Sequence, residues 1–287
     1  MFEAYQRWQL ELERQPVEFL GRRYRDLLRT AREALGNYVG GRPKDLVYVP
    51  NATTAVNIVA HSLPLDPGDE VLTTDHEYGG VDRAWRFVCE QRGARCIPHG
   101  DVDTLWSAVT PRTRIIAMSH ITSPTAVVLQ VEDIVNRARD AGILTVIDGA
   151  HAPGQLPLAL GRLGADFYAG NCHKWMCAPK GAGFLYARQE FQSLVQPLVV
   201  SWGWQAIDEW QGDTPFITTH EWQGTHDISA WLSVPAAIDF MRQHDWPAVQ
   251  RRSSELLDYA IERLGLPTME PHAPQMAAFR LPPCDHH

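Results

Sequence analysis

The chain has 287 residues, enough for one large domain with a smaller one beside it. Its hydrophobic fraction of 45% and charged fraction of 21% are typical of a globular protein. A net charge of −8 argues against a general binder of nucleic acid or anionic membranes, because no excess of Lys and Arg is available to neutralise phosphates. No apolar run approaches the length of a membrane span.

The cysteines and histidines indicate neither disulfides nor a metal site. The five cysteines are odd in number and lack paired metal-site spacing, and the twelve histidines show no spacing typical of zinc. The N-terminal residues contain no signal-peptide core. We therefore expect reduced thiols in a cytoplasmic protein without a bound metal.

In chain order, helices and strands are predicted to alternate after a long helical start. Residues 3–38 are expected to be helical, with a break near Pro16. Further helices are expected at 55–62, 81–92, 102–108 and 131–141, and strands at 46–49, 70–74, 94–98, 114–120, 144–147, 165–169 and 184–187. This alternation predicts an α/β fold, a mostly parallel central sheet with helices on both faces.

Polar clusters follow several of the predicted strands. Ligands in such sheets bind outside the carboxyl ends of the strands, so these clusters are expected to meet in one crevice. The clusters occupy residues 51–54, 75–78, 119–125, 148–151 and 171–174.

Lys174 and Asp148 indicate a specific chemistry for this crevice. Lys174 follows a predicted strand, and such a lysine is usually plain surface, but a partly desolvated one can form a Schiff base with a carbonyl. Asp148 ends the apolar strand LTVID, where a buried carboxylate needs a charged partner. Pyridoxal phosphate (PLP) requires this pair, a lysine for its aldehyde and a carboxylate that keeps its ring nitrogen protonated.

Six segments carry a resemblance to a known family. They are NATTAVN (51–57), DHEYG (75–79), SHITSPTA (119–126), DGAHAPGQ (148–155), GNCHKW (170–175) and GTHD (224–227). In this order they resemble class V aminotransferase-type proteins of the fold type I PLP superfamily, closest to the branch of isopenicillin N epimerase and cysteine-desulfurase-like lyases. The resemblance implies a large PLP-binding domain over residues 1–235 and the incomplete start of a small α+β domain over residues 236–287.

The resemblance also implies roles for residues near the cofactor. Ala52 and Thr53 would bind the phosphate at a helix N-terminus, although such a threonine alone reads equally well as a simple N-cap. Tyr78 matches the position that stacks on the cofactor ring, and it is also a weaker candidate for proton transfer; otherwise it is core or rim. Ser123 falls at the position beside the cofactor oxygen where many relatives have an asparagine.

Four further positions complete the expected site. His151 would lie near the phenolic oxygen of the cofactor and, like Tyr78, is a candidate for the second proton-transfer group that an epimerase needs opposite Lys174; otherwise it is a packed structural histidine. Asn171 and His173 resemble a phosphate-contacting pair around the lysine. The segment of Thr225 resembles one that reaches the phosphate site of a neighbouring subunit, which implies a homodimer.

The implied function is a PLP-dependent reaction at the α-carbon of an amino acid or peptide-like amine, of the epimerase or carbon–sulfur lyase type, with transamination less favoured. One alternative is a shortened, cofactor-binding homologue with little or no catalytic activity that acts as a binding or structural protein, because Arg280 lies before the expected position of the substrate-carboxylate arginine. A dinucleotide-binding oxidoreductase is the weakest alternative, because no GxGxxG segment follows the first strand.

Overall fold

A single sheet organises the computed structural model, which describes residues 1–100, 102–206 and 213–281. Its seven strands are β1 (Leu46–Val49), β2 (Glu70–Thr73), β3 (Arg95–Pro98), β4 (Thr113–Ser119), β5 (Leu144–Gly149), β6 (Phe167–Asn171) and β7 (Gly183–Ala187). They lie in the order β1-β7-β6-β5-β4-β2-β3. β7 runs antiparallel to both of its neighbours, and the other pairs are parallel. The predicted mostly parallel sheet is confirmed.

Helices flank this sheet along the described chain. They are α1 (Phe2–Arg14), α2 (Pro16–Glu18), α3 (Tyr24–Val39), α4 (Ala52–Ser62), α5 (Gly79–Arg92), α6 (Val102–Leu105), α7 (Val131–Asp140), α8 (Leu160–Leu163), α9 (Pro215–Glu221), α10 (Ser229–Leu232), α11 (Val234–Gln243) and α12 (Trp246–Leu264). The break near Pro16 is confirmed, since α1 ends at Arg14 and Pro16 opens α2, where its missing N–H is not needed. None of the described helices is long and apolar enough to cross a membrane.

Alternating side chains of the strands build two apolar cores, one on each face of the sheet. On one face Ile116, Ile147 and Tyr168 pack with α3, α7 and α11. On the other face the preceding residues of the same strands pack with α4 and α5. Because successive strand residues point to opposite faces, a strand covered on both sides reads as a continuous apolar run. Helices on both faces were the expectation, and the structure confirms it.

Two predicted boundaries differ from the observed ones for local reasons. The strand expected at 165–169 spans Phe167–Asn171. Asp166 lies outside β6. Its carboxylate accepts hydrogen bonds from the backbone N–H and the hydroxyl of Thr145 on β5. The helix expected from residue 55 begins at Ala52, because Asn51 Oδ1 accepts the Thr54 N–H at 2.8 Å and caps it. The division into domains at residue 235 stays a prediction.

A buried ion pair fixes α9 against α3. Arg32 contacts Glu221 at 2.5 Å and Asp213 at 3.0 Å, and all three side chains are at most 4% exposed. Glu221 also accepts the backbone N–H of Tyr48 at 3.4 Å, which ties the pair to β1. Breaking a buried pair from one side leaves an uncompensated charge.

We expect Arg32→Met to lower the free energy of unfolding by about 3–5 kcal/mol. Urea denaturation followed by circular dichroism measures this change. The control is Arg22→Met, which removes the partner of Glu18 from a pair whose arginine side chain is 80% exposed. Arg22→Met should lower the free energy of unfolding by less than about 1 kcal/mol. Equal losses in the two variants would contradict the role given to the buried pair.

Candidate active site

A cavity of about 210 Å³ lies at the carboxyl edge of the parallel strands. The pairing register brings the site together, because Ser119 at the end of β4 stands beside Asp148 on β5, and Asn171 ends β6. The cavity is lined by Asn51, Ala52, Thr53, Tyr78, Ser119, Ile121, Ser123, Asp148, Ala150, His151, Asn171, His173 and Lys174. Nine of the ten site residues expected from the sequence line it, so the predicted crevice exists.

Lys174 lies on the turn after β6 and contacts His151. Its Nζ is 2.9 Å from His151 Nε2. Burial lowers the pKa of Lys174, and the negative charge of Asp148 opposes this effect. Burial also lowers the pKa of His151 to about 4, and the positive charge of Lys174 acts in the same direction. A lysine with a lowered pKa is a better nucleophile near neutral pH.

Asp148 is a buried carboxylate near this lysine. It is 5% exposed and accepts the Ala150 N–H at 3.0 Å. Burial raises the pKa of Asp148, whereas this hydrogen bond and the charge of Lys174 lower it. Within the described ranges no side chain donates a hydrogen bond to Asp148. A buried carboxylate of this kind fits a protonated ring nitrogen as its partner.

The N-terminus of α4 forms another wall of the cavity. Asn171 Oδ1 accepts the Ala52 N–H at 2.8 Å, so this backbone donor is already paired. The Thr54 N–H is capped by Asn51. In the part of the chain that the structure covers, the Thr53 N–H has no partner, and free N–H groups at a helix N-terminus bind anions. The donor set therefore fits a phosphate at Thr53.

Three other expected residues line the same cavity. Tyr78 precedes α5 and is 47% exposed, so its ring is open to a ligand. Ser123 follows β4. His173 Nδ1 is 2.9 Å from the Ala182 carbonyl, which only accepts, so Nδ1 carries a proton. Burial lowers the pKa of His173, and the neutral ring then offers Nε2 as an acceptor. His173 would donate to a phosphate from Nε2 only if its ring were protonated at both nitrogens.

Thr225, the tenth expected residue, does not line this cavity. It lines a different cavity of about 1030 Å³, together with Leu20, Tyr24, Trp202 and Trp222. The structure therefore does not bring Thr225 to the cavity of Lys174 within one protomer. A contribution across a subunit interface stays a prediction.

Glu77 does not line the cavity, but it holds Ser119, which does, and it is not among the residues predicted for the site. Its buried carboxylate accepts hydrogen bonds from Thr74 Oγ1 at 2.5 Å and from the hydroxyl and backbone of Ser119 at 2.7 and 3.1 Å. The pKa of Glu77 is raised to about 7, because the effect of burial, with a smaller one from the charge of Asp148, outweighs that of the hydrogen bonds, which lower it. The sequence feature that could have indicated Glu77 is its position in DHEYG, next to Tyr78 and shortly after the end of β2.

The raised pKa of Glu77 predicts a pH-dependent stability. An unfolded glutamate titrates near pH 4.3. Between that pH and about 7 the folded chain keeps a proton that the unfolded chain releases. This contribution is therefore fully present below about pH 4.3 and is lost as the pH rises through 7.

We expect Glu77→Gln to gain stability over the wild type as the pH rises from about 4.3 to 7, by about 1–3 kcal/mol in total. Urea denaturation of the cofactor-free chain at a series of pH values measures the difference. Glu132→Gln, at an exposed position of α7, is the control and should run parallel to the wild type. A Glu77→Gln curve that also stays parallel to the wild type would contradict this titration.

Curated relatives match most of the chain. The sequence model of the family Aminotransferase class-V matches residues 1–275. Isopenicillin N epimerase of Streptomyces clavuligerus is 37% identical over 98% of the chain and 77% of the relative. A probable cysteine desulfurase of Xylella fastidiosa is 31% identical over 86% of the chain and 62% of the relative.

Solved structures share the fold. A mutant of C-DES with glycine covalently linked to its PLP cofactor aligns with a TM-score of 0.82 at 25% identity, over 96% of this chain and 77% of that one. The apo cysteine desulfurase of Thermococcus onnurineus aligns with a TM-score of 0.82 at 21% identity, over 98% and 75%. The family match and the identity to the epimerase together show that this protein belongs to the class V aminotransferase family.

Proposed function

We propose that this chain is a PLP-dependent enzyme of the epimerase or carbon–sulfur lyase type, acting at the α-carbon of an amino acid or peptide-like amine. One observation carries the proposal. A half-buried lysine, a buried carboxylate and a free backbone N–H of a helix N-terminus line the same cavity of about 210 Å³. PLP combines an aldehyde, a basic ring nitrogen and a phosphate, so each part of the cofactor has a matching protein group.

The matching groups define the proposed roles. Thr53 N–H would bind the phosphate, Asp148 would hold the proton on the ring nitrogen, and the Lys174 amine would take the aldehyde as a Schiff base. Around them, Tyr78 would lie against the ring, and Ser123 and His151 near its oxygen. Ala52, Asn171 and His173 would shape the phosphate end.

When bound, PLP withdraws electrons from the α-carbon of the amine that it holds. The protein groups decide where the α-proton goes. Lys174 would act as a base at the α-carbon. An epimerase needs a second proton donor opposite the lysine. His151 Nε2 lies 2.9 Å from Lys174 Nζ, on the side of the lysine itself, so we assign the second role to Tyr78.

Epimerisation is the favoured reaction within this proposal. Two isopenicillin N epimerases are 37% and 39% identical over 98% and 93% of the chain. The probable cysteine desulfurase is 31% identical over 86%. A group that returns the proton to the opposite face gives an epimer, whereas a leaving group on the β-carbon gives elimination.

We also propose a homodimer in which Thr225 completes the phosphate site of the partner protomer. The support is its place on a second cavity, lined by Trp202 and Trp222, away from Lys174 in the same protomer. Closed twofold dimers are the commonest oligomers.

The experiment is α-proton exchange in deuterated water, followed by proton NMR with chiral analysis of the product. The panel contains isopenicillin N, cysteine and both enantiomers of common amino acids. Exchange with inversion supports an epimerase, and exchange with loss of the β-substituent supports a lyase. A chain that binds PLP and exchanges none of the panel would contradict the enzymatic proposal and favour the cofactor-binding homologue without turnover.

A further inference from the structure

Trp175 completes a chain of contacts that ends at the lysine. Its indole Nε1 is 3.2 Å from His151 Nδ1, and His151 Nε2 is 2.9 Å from Lys174 Nζ. All three side chains are half-buried. Trp175 is not among the residues that line the cavity, and its indole reaches the site through the hydrogen bond to His151.

The donors and acceptors of these groups allow a single arrangement of protons. An indole N–H only donates, so His151 Nδ1 must accept. A neutral imidazole has one donor and one acceptor, which places the proton of His151 on Nε2. A charged lysine has three donors and no acceptor, so an Nε2–H facing Nζ requires the neutral amine. If His151 were an imidazolium, its Nδ1–H would face the Trp175 N–H, and two donors cannot form a hydrogen bond with each other.

We infer that Trp175 is a positioning residue that fixes the tautomer of His151 and thereby holds Lys174 as a neutral amine whenever its Nζ is free. The inference deepens the proposed function, on which it rests for the use that the site makes of this amine. Any reaction of the lysine with a carbonyl begins from the neutral amine.

The backbone around these residues keeps the contacts in place. Gln155 Nε2 donates to the carbonyl of His151 at 3.0 Å, which fixes the main chain of the histidine. Gly154 has φ +91° and passes behind the turn of the tryptophan, where an added Cβ would lie 2.7 Å from Met176 N. Only a glycine permits this approach. Trp175 and His151 are therefore presented to each other by two closely packed turns.

The charges around the lysine agree with this arrangement. A charged lysine beside a charged histidine at 2.9 Å would place two like charges in a half-buried site. Burial lowers the pKa of both groups, whereas Asp148 favours the charged lysine. Besides His151 and Asp148, the charge of Lys174 also acts on His173, whose pKa it lowers.

The test uses the full chain after hydroxylamine has removed any bound carbonyl compound, so it does not depend on activity. Nitrogen-15 NMR reads the tautomer of His151, whose signals are assigned by their loss in His151→Gln. The rate at which trinitrobenzenesulfonate modifies Lys174, followed by peptide mass spectrometry across pH, reads the fraction of neutral amine.

In the wild type we expect His151 to be protonated at Nε2 and Lys174 to titrate below the ordinary lysine pKa. Trp175→Phe keeps a ring but removes the donor, so the Nδ1–H tautomer becomes accessible and its Nε2 accepts from a charged lysine. Modification of Lys174 at neutral pH should then slow about three- to tenfold. Trp106→Phe, at a half-buried indole that packs against Arg137 away from this cavity, is the control and should leave both readings unchanged.

A wild-type His151 protonated at Nδ1 would overturn the inference, and this reading needs no variant to fold. An unchanged tautomer and lysine titration in folded Trp175→Phe would also overturn it. Neither result bears on whether Lys174 binds PLP, which is tested separately.

Discussion

Lys174→Ala is expected to abolish covalent attachment of PLP and to stop α-proton exchange. Loss of proton transfer by the amine alone accounts for about 10²- to 10⁴-fold in rate, and loss of the attachment point adds to this. The fold should persist, because the side chain is half-buried and forms no ion pair in the described chain. Visible absorbance, the exchange assay and circular dichroism measure the three effects.

The matched control for this variant is Lys180→Ala. Lys180 lies on the same loop and is exposed. We expect its cofactor spectrum and exchange rate to equal those of the wild type. If Lys174→Ala kept the cofactor spectrum of the wild type, the lysine assignment would be wrong whatever the exchange rate.

Asp148→Asn is expected to have the second largest effect. Removing one partner of a buried charge pair costs about 3–5 kcal/mol, which corresponds to a loss of about 10²- to 10⁴-fold in affinity for PLP. Exchange should stop, because an amide does not hold the ring nitrogen protonated. Titration with PLP and the exchange assay measure these losses. Asp140→Asn, at an exposed position on α7, is the control.

The thermal stability of cofactor-free Asp148→Asn is expected to change in the opposite direction to its affinity for PLP. Without the cofactor, the wild type buries a carboxylate whose pKa burial has raised, and asparagine removes that cost. We therefore expect the cofactor-free variant to melt at or above the wild-type temperature. It should gain less than the wild type from added PLP. An equal gain on adding PLP would count against the role of Asp148.

The sequence predicted the sheet well because its strands are nearly continuous apolar runs. In β5 (Leu144–Gly149), the largely apolar run 144–147 is followed by the polar Asp148, which marks the carboxyl-terminal part of the strand. The less accurate boundaries arose where a side chain replaces backbone pairing. Asp166 binds Thr145 before β6 begins, and Asn51 caps α4 three residues earlier than expected.

The cavity residues were predictable because the polar ones lie at, or just after, the carboxyl ends of strands. Parallel strands bring Asp148, Lys174 and Thr53 to one edge although they are distant in sequence. Glu77 and Trp175 were not found, because their importance depends on contacts between side chains. Glu77 is recognised by its bonds to Ser119, and Trp175 by its bond to His151. A single sequence does not display such pairings.

Thr225 shows a different limit. Its motif resembles a phosphate-binding segment, but within one protomer it lines a second cavity. A contact between two copies leaves no trace in the periodicity of one chain.

The central claim is that Lys174 forms the covalent bond to the cofactor. Incubation with PLP, reduction with borohydride and peptide mapping by mass spectrometry test it directly. We predict a yellow band that disappears on reduction and a pyridoxyl group on the peptide of Lys174. A protein that stays colourless, or a pyridoxyl group found on Lys180 and not on Lys174, would contradict it.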